Sequence, residues 1–210
     1  MKYYQIDHQL DTEEVGLNIY PQTDGLTGDS TFHSKNSYSI FTHHNLPEKF
    51  EPLEQIKLAN SAKQTDFIST ALISGNGFIL SEKVKGILEQ HRLVNHRFYK
   101  IPLVHRQRAL DHYYWFQMYH PAQDYINFKK SVFQLRRLRR VIKDEIRFDS
   151  IDDYWEHRKY YGPGKLFRAK EIHLHPGSYD FLYIGVGKAI FLISEKLKMK
   201  MQESGVTGYK

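Results

Sequence analysis

Serine, glutamate and lysine stand together twice in this chain, at residues 78–89 (FILSEKVKGILE) and again 113 residues later at 191–202 (FLISEKLKMKMQ). Five of the twelve aligned positions are identical: Phe78/Phe191, Ser81/Ser194, Glu82/Glu195, Lys83/Lys196 and Lys85/Lys198. These residue types could carry covalent chemistry, with serine as nucleophile and lysine as base. The spacing argues otherwise. Ser and Lys two apart at a helix start point in different directions, and no Gly-x-Ser-x-Gly elbow surrounds either serine. A serine placed directly before an apolar-periodic segment offers its oxygen to the exposed N–H groups of a helix start. Ser81 and Ser194 are therefore read as helix caps, and so is Ser150, which precedes IDDYWEHRKYY with Asp153 at the third helical position.

Other candidate chemistry is weaker. Gly185-Val186-Gly187-Lys188 has the look of a phosphate loop. The pattern needs a glycine where Leu182 stands and Ser or Thr where Ala189 stands, so it is read as a turn. His173 and His175 lie two apart on an expected strand and share a face, so with a third ligand such as His43 or His44 they could hold a metal. No carboxylate stands at ligand spacing, and exposed histidines are the better reading. The chain has no cysteine, which removes disulfides, thiolate metal sites and cysteine nucleophiles. No nucleophile–base pair, carboxylate dyad or metal set emerges. The expectation is a non-enzymatic protein without cofactor or metal.

The net charge of +6 is not spread evenly. Residues 129–147 hold eight basic and two acidic side chains, which leaves 22 of each sign elsewhere. If this segment is helical, Leu135, Leu138 and Ile142 form one stripe while Arg136, Arg137, Arg139, Arg140 and Lys143 cover the rest. Such arginines could grip phosphates or pair with carboxylates on an acidic protein surface; a solvated charged face is the bland alternative. Single-strand binders interleave aromatic side chains with such charge. Only Phe133 is near, which weighs against nucleic acid.

These candidates need elements to position them. KYYQI and VGLNIY near the N-terminus are β-like, and residues 21–50 read as a long loop with one short strand at 38–41. Thr65 or Asp66 is placed to cap a short helical turn. Gly75-Asn76-Gly77 is a turn, Phe78-Ile79-Leu80 a strand, and Val84, Ile87 and Leu88 form one face of the helix after Ser81. Residues 96–119 alternate and are rich in aromatics, which predicts two strands with a hairpin at 107–110. Gly162-Pro163-Gly164 ends the helix begun at Ser150, and KLFRAKEIHLH follows as a strand. Leu197 and Met201 face inward from the last helix, and Gly205 stands at its C-terminal cap.

The repeat is longer than the Ser-Glu-Lys string. Asp66-Phe67-Ile68 matches Asp180-Phe181-Leu182, and a Gly-x-Gly follows each, at 75–77 and 185–187. Two strand–cap–helix units, at about 66–92 and 180–205, are thus expected within one globular region spanning 51–210, preceded by a variable segment at 1–50. The fold class is α+β, with mixed or antiparallel strands and a few helices. The N-terminal residues have acids and no apolar core, unlike a secretory signal, and no apolar run is long enough to span a membrane. A cytoplasmic protein is expected.

The order D-F-[IL]…G-x-G…S-E-K-[VL]-K, closed by Gly205-Val206-Thr207-Gly208, resembles bacterial immunity proteins encoded beside polymorphic toxins, a family long catalogued as a domain of unknown function. The likeness spans about residues 60–210 and rests on short, largely structural motifs. It implies an antidote that binds a cognate toxin domain stoichiometrically, with no catalytic residues and with the binding surface outside the matching positions. Inhibitors of nuclease toxins tend to be acidic. This chain is basic, which points away from a nuclease and toward an acidic toxin surface, met by Arg136, Arg137, Arg139, Arg140 and Lys143 or by the 21–50 loop. The alternative is a nucleic-acid-binding module built on 129–147.

Overall fold

The computed structural model describes residues 2–16, 21–27, 47–52, 54–70, 77–118, 123–138, 140–162, 164–175, 179–186 and 190–210. In chain order these form β1 (Tyr3–Ile6), α1 (Thr12–Val15), β2 (Thr23–Thr27), β3 (Gln55–Leu58), β4 (Phe67–Ile68), β5 (Gly77–Ser81) and α2 (Glu82–Leu88). Next come β6 (His96–Lys100), β7 (Leu103–His105), β8 (Arg108–Leu110), β9 (Tyr113–Met118), β10 (Val132–Arg137) and β11 (Arg140–Ile146). The chain closes with α3 (Ile151–Tyr161), β12 (Lys165–Glu171), β13 (Phe181–Ile184), β14 (Ile190–Ser194) and α4 (Glu195–Glu203). The fold is α+β. Among the described residues the strands make four sheets, ordered β1-β14-β13, β4-β5-β9-β6, β2-β3-β7-β8 and β11-β10-β12, and every strand pairing there but β3–β7 is antiparallel.

The repeated string is one physical device built twice. Ser81 Oγ accepts from Val84 N–H at 3.4 Å and Ser194 Oγ from Leu197 N–H at 3.2 Å, so each serine ends a strand and caps the helix after it. Each hydroxyl also donates to an aspartate at 2.6 Å, Ser81 to Asp66 and Ser194 to Asp180. The glutamates accept from tyrosine hydroxyls, Glu82 from Tyr114 at 3.4 Å and Glu195 from Tyr4 at 3.1 Å. Lys85 lies over the Tyr114 ring and Lys198 over the Tyr4 ring, at 5.1 and 3.7 Å from the centroids. Phe78 and Phe191 meet each other edge to face, with centroids 4.6 Å apart. The fifth identity is used unequally. Lys83 pairs with Asp66 at 2.7 Å and donates to the Gly205 carbonyl at 3.0 Å, whereas Lys196 is exposed.

The two copies also close each other. Thr207 N–H, just past α4, donates to Asp66 Oδ2 at 3.0 Å; Arg92 N–H, just past α2, donates to Asp180 Oδ2 at 3.1 Å. A backbone bond runs the other way in each, from Phe67 N–H, next to Asp66, to the Thr207 carbonyl at 3.0 Å and from Asp180 N–H to the Arg92 carbonyl at 2.6 Å. Each aspartate is thus shared between its own serine and the far end of the other copy. This reciprocity gives Gly205-Val206-Thr207-Gly208 its physical meaning. Gly205 takes a left-handed turn at φ 59° to leave α4, Val206 is buried, and Thr207 reaches Asp66. Gly208, at φ 84°, passes so close to β4 that a Cβ there would lie 2.3 Å from the Phe67 carbonyl oxygen.

A third strand completes each copy: β9 beside β5, and β1 beside β14. Tyr113 faces Ser81 and Tyr3 faces Ser194 in register, so Tyr113-Tyr114 and Tyr3-Tyr4 occupy the same place. In sequence one pair follows its unit and the other precedes it by most of the chain, which hid the correspondence.

One core joins both copies. Phe67, Phe78, Leu80, Val84, Leu88, Phe181, Ile193, Leu197 and Met201 pack in a single cluster that runs on into Phe133, Phe148, Tyr154 and Phe167 beneath the β11-β10-β12 sheet. The opposite face of β5 and β9 sends Ile79, Tyr113 and Trp115 into a second core shared with β3 and β7. Burial on both faces explains why β5 reads as a continuous apolar run and not an alternating one.

Several local expectations need correction. Thr65 and Asp66 do not cap a helical turn: Phe67–Ile68 is a strand, because Asp66 spends its oxygens on Ser81, Lys83 and Thr207. Val15 does not open a strand but ends α1, which Asp11 caps and Gly16 terminates with a left-handed residue. The 96–119 region holds four strands, not two. Its tight turn is at Arg106 and Gln107, both at positive φ, and β6 and β9 pair with each other around the β7–β8 hairpin. The strand expected at 38–41 and the Gly75-Asn76 and Gly187-Lys188 parts of the turns fall outside the described residues.

Candidate functional site

The basic segment is not a helix. β10 and β11 form an antiparallel hairpin whose turn follows Arg137, with Leu138 at φ 52° and Arg137 facing Arg140. Phe133 and Leu135 alternate with Gln134 and Arg136, and this period of two puts the apolar pair into the core. β12 binds the other side of β10 and sets the register, with Leu135 opposite Phe167, Arg136 opposite Leu166 and Arg137 opposite Lys165. The leucine stripe expected of a helix is dispersed: Leu135 is buried, Leu138 stands at the turn with 93% of its surface exposed, and Ile142 is exposed.

The sheet has one closed face and one open one. On the closed side α3 lays Tyr154 and Tyr161 against Phe167, with ring centroids 5.5 and 5.7 Å apart, and Phe148 stacks edge to face on Phe167 at 4.9 Å. Ser150 caps α3 by accepting from Asp153 N–H at 3.1 Å, and the Asp153 carboxylate reaches back to Asp149 N–H at 2.9 Å. The open side carries a cross-strand row in which Val141, Arg136 and Leu166 sit directly opposite one another, followed by Gln134 and Arg168.

Charge is graded along this sheet. At the end away from the turn it is neutralised. Asp144 accepts from Gln134 at 2.8 Å and pairs with Lys170 at 3.2 Å, and Lys170 also reaches Glu145. The Gln134 amide and the Lys170 ammonium hold the Asp144 carboxyl below its usual range. Lys129 pairs with Asp149, and Arg147 donates to the Lys129 and Lys130 carbonyls. At the turn the balance reverses. Residues 136–143 (RRLRRVIK) and 157–169 (HRKYYGPGKLFRA) contain nine Lys and Arg and no carboxylate. The tertiary fold brings these segments together. Arg137 is opposite Lys165, the Arg158 guanidinium donates to the Lys165 carbonyl, and Lys165 lies over the Tyr161 ring at 5.5 Å. Among the described residues no carboxylate is within ion-pair distance of Arg137, Arg140 or Lys143.

Of the five expected binding residues, Arg136 lies on the open face, Arg137 and Arg140 flank the turn, and Lys143 is exposed on β11. Arg139 is outside the described residues, as is most of the 21–50 loop. Four contributors were missed: Arg158, Lys159, Lys165 and Arg168. Their signal was the second acid-free run at 157–169, which gained meaning only once β12 paired with β10. Tyr160 is 84% exposed at the same end, so an aromatic ring does accompany the charge.

His173 and His175 do not converge on a metal set. His173 Nε2 meets Glu171 at 2.7 Å, and its N–H donates to Ser131 Oγ, while His175 N–H donates to the Tyr125 carbonyl. Among the described residues no three His, Asp or Glu side chains are grouped to hold a metal ion. No helix there is long and apolar enough to cross a membrane. No family model matches the chain, and no curated protein matches it.

Proposed function

We propose that this chain is a stoichiometric, non-enzymatic binding protein of the immunity type, which neutralises a cognate toxin domain by docking its basic end onto an acidic protein surface. One observation carries the reading: a core-supported sheet end that presents guanidinium and ammonium groups from β10, β11, β12 and α3 without a carboxylate among them. Such a field speeds encounter with an acidic partner and rejects basic ones. The Ser-Glu-Lys copies hold the scaffold. Their polar groups are engaged with each other, which leaves the basic end to meet a partner.

Co-expression with the toxin encoded by the adjacent gene tests this reading. Growth should be restored, and the two proteins should co-purify in a fixed ratio. Continued killing by the toxin while this protein is soluble and folded would reject it. A second reading, binding to nucleic acid, is favoured by Tyr160 beside Arg158 and Lys159, an exposed ring next to charge. It requires retention on heparin at low salt and a steep loss of affinity as salt rises.

A further inference from the structure

The same end of the molecule identifies the kind of surface it fits, an inference that rests on the proposed binding role. We infer that the partner is a protein that docks on the open face of the β11-β10-β12 sheet and over its turn, presenting carboxylates to Arg168 on the face and to Arg140 beside the turn, and an apolar seat to Leu138.

Composition comes first. Aliphatic and basic side chains alternate on this face: Val141, Arg136 and Leu166 form one cross-strand row, Arg168 stands in the next, and Leu138 projects from the turn. Four aliphatic side chains, Leu138, Val141, Ile142 and Leu166, are exposed within this patch. Burying a leucine fully is worth about 1.5–3 kcal/mol, and that gain needs a surface with apolar atoms to receive it. Phosphate backbones offer charge without such a seat, and nucleic-acid interfaces are accordingly more polar than protein ones. A protein surface supplies both, with apolar anchors at the centre and charged partners around them. A second copy of this chain is a poor occupant, because the face would bring like charge against like charge.

The docking mode also follows. Among the described residues β11 is an edge strand, and strand addition along it would need a regular ladder. Its pairing with β10 is interrupted by two register shifts, between Phe133 and Leu135 and between Leu135 and Arg136, and Glu145 stands at φ 57°. Bulges and outward Arg or Lys are the devices that keep edges from accepting another strand. The partner therefore engages the face and the turn and does not extend the sheet.

The test uses the full-length chain and the purified product of the gene immediately upstream, titrated by calorimetry. Leu138→Asp and the double variant Arg140→Glu/Arg168→Glu should each weaken binding by at least roughly ten-fold, while Lys129→Glu, at the neutralised end, changes it by less than about two-fold. All four replacements are at exposed positions, and an unchanged melting transition confirms folding. Wild-type-like affinity in both folded face variants overturns this inference and leaves the binding role standing. No binding by the wild type overturns both. A DNA duplex of roughly 20 base pairs, bound with a steep salt dependence that the same variants abolish, would make nucleic acid the occupant and also overturn it.

Discussion

The paired Ser-Glu-Lys copies and the basic sheet end are both rich in charged side chains but differ in where those charges find partners. In the copies, nearly every polar group has a partner inside the molecule: serine to aspartate, glutamate to tyrosine, lysine to an aromatic face. At the sheet end, Arg137, Arg140 and Lys143 have no carboxylate within reach among the described residues. The difference separates charge that is neutralised within the chain from charge that is not, and the proposed binding role rests on it. A group engaged within its own chain stabilises the fold and has little left for a partner. A group held without its counter-charge on a rigid support is poised for one.

The comparison can be broken most severely at its centre. Phe78 touches Phe67, Phe181 and Phe191, so it joins the copies through a single ring. Phe78→Ala should cost about 3–5 kcal/mol, the usual range for emptying a buried aromatic site. Urea unfolding would show the midpoint falling. A loss below about 1 kcal/mol would mean the copies do not depend on one another.

Next is Asp180, which binds Ser194 Oγ within its own copy and Arg92 N–H from the other. Asp180→Ala leaves a buried hydroxyl and an amide without their acceptor and should cost about 2–4 kcal/mol, while Asn, keeping one acceptor oxygen, should recover part of it. Equal losses for the two variants would assign the effect to charge and not to hydrogen bonding.

The copies should also carry the pH response. Burial depresses His8, half-buried against Phe78, to about 4 from an ordinary 6.5, with only Asp7 opposing. The unfolded chain therefore takes up a proton first. Stability is fully present above about pH 6.5 and is lost as pH falls toward 4, by about 1–2 kcal/mol after allowing for solvent screening. Asp66 acts lower. Burial alone would raise it, but bonds from Lys83, Ser81 and Thr207 together hold it below 3.8, so its contribution is present above that value and is lost on further acidification. Unfolding midpoints measured from pH 7 to 4 should decline, and His8→Gln should flatten that decline.

The smallest stability effect belongs to the other region. Leu138→Asp, at a residue 93% exposed, should shift stability by no more than about 0.5 kcal/mol. It should nonetheless abolish most partner binding. A large destabilisation would mean that the turn supports the sheet and would end the contrast between the two regions.

The strand–cap–helix units were legible because their signals are local. An apolar run, a serine, an acidic first turn and an i, i+3, i+4 stripe lie within a dozen residues, and the cap geometry follows from them. The α+β class was readable for the same reason. The basic hairpin was not legible because two periods compete in VFQLRRLRRVIK. Leucine and arginine favour helix, and no Asn-Gly or Asp-Gly marks the turn. The alternation of Phe133 and Leu135 with polar neighbours was present, but β12 decided the outcome by supplying the ladder and Phe167 by supplying the packing.

By itself the sequence determined which segments could cap, turn and pack, since these depend on neighbours a few residues away. It also determined that the charge excess was concentrated. What only the tertiary structure decided was who met whom: Thr207 with Asp66, Tyr3-Tyr4 in the place matching Tyr113-Tyr114, and two acid-free segments joined into one basic end. Those meetings depend on loop closures and strand pairings across tens to hundreds of residues. Their energy comes from burial and hydrogen bonds that exist only after the chain has come together.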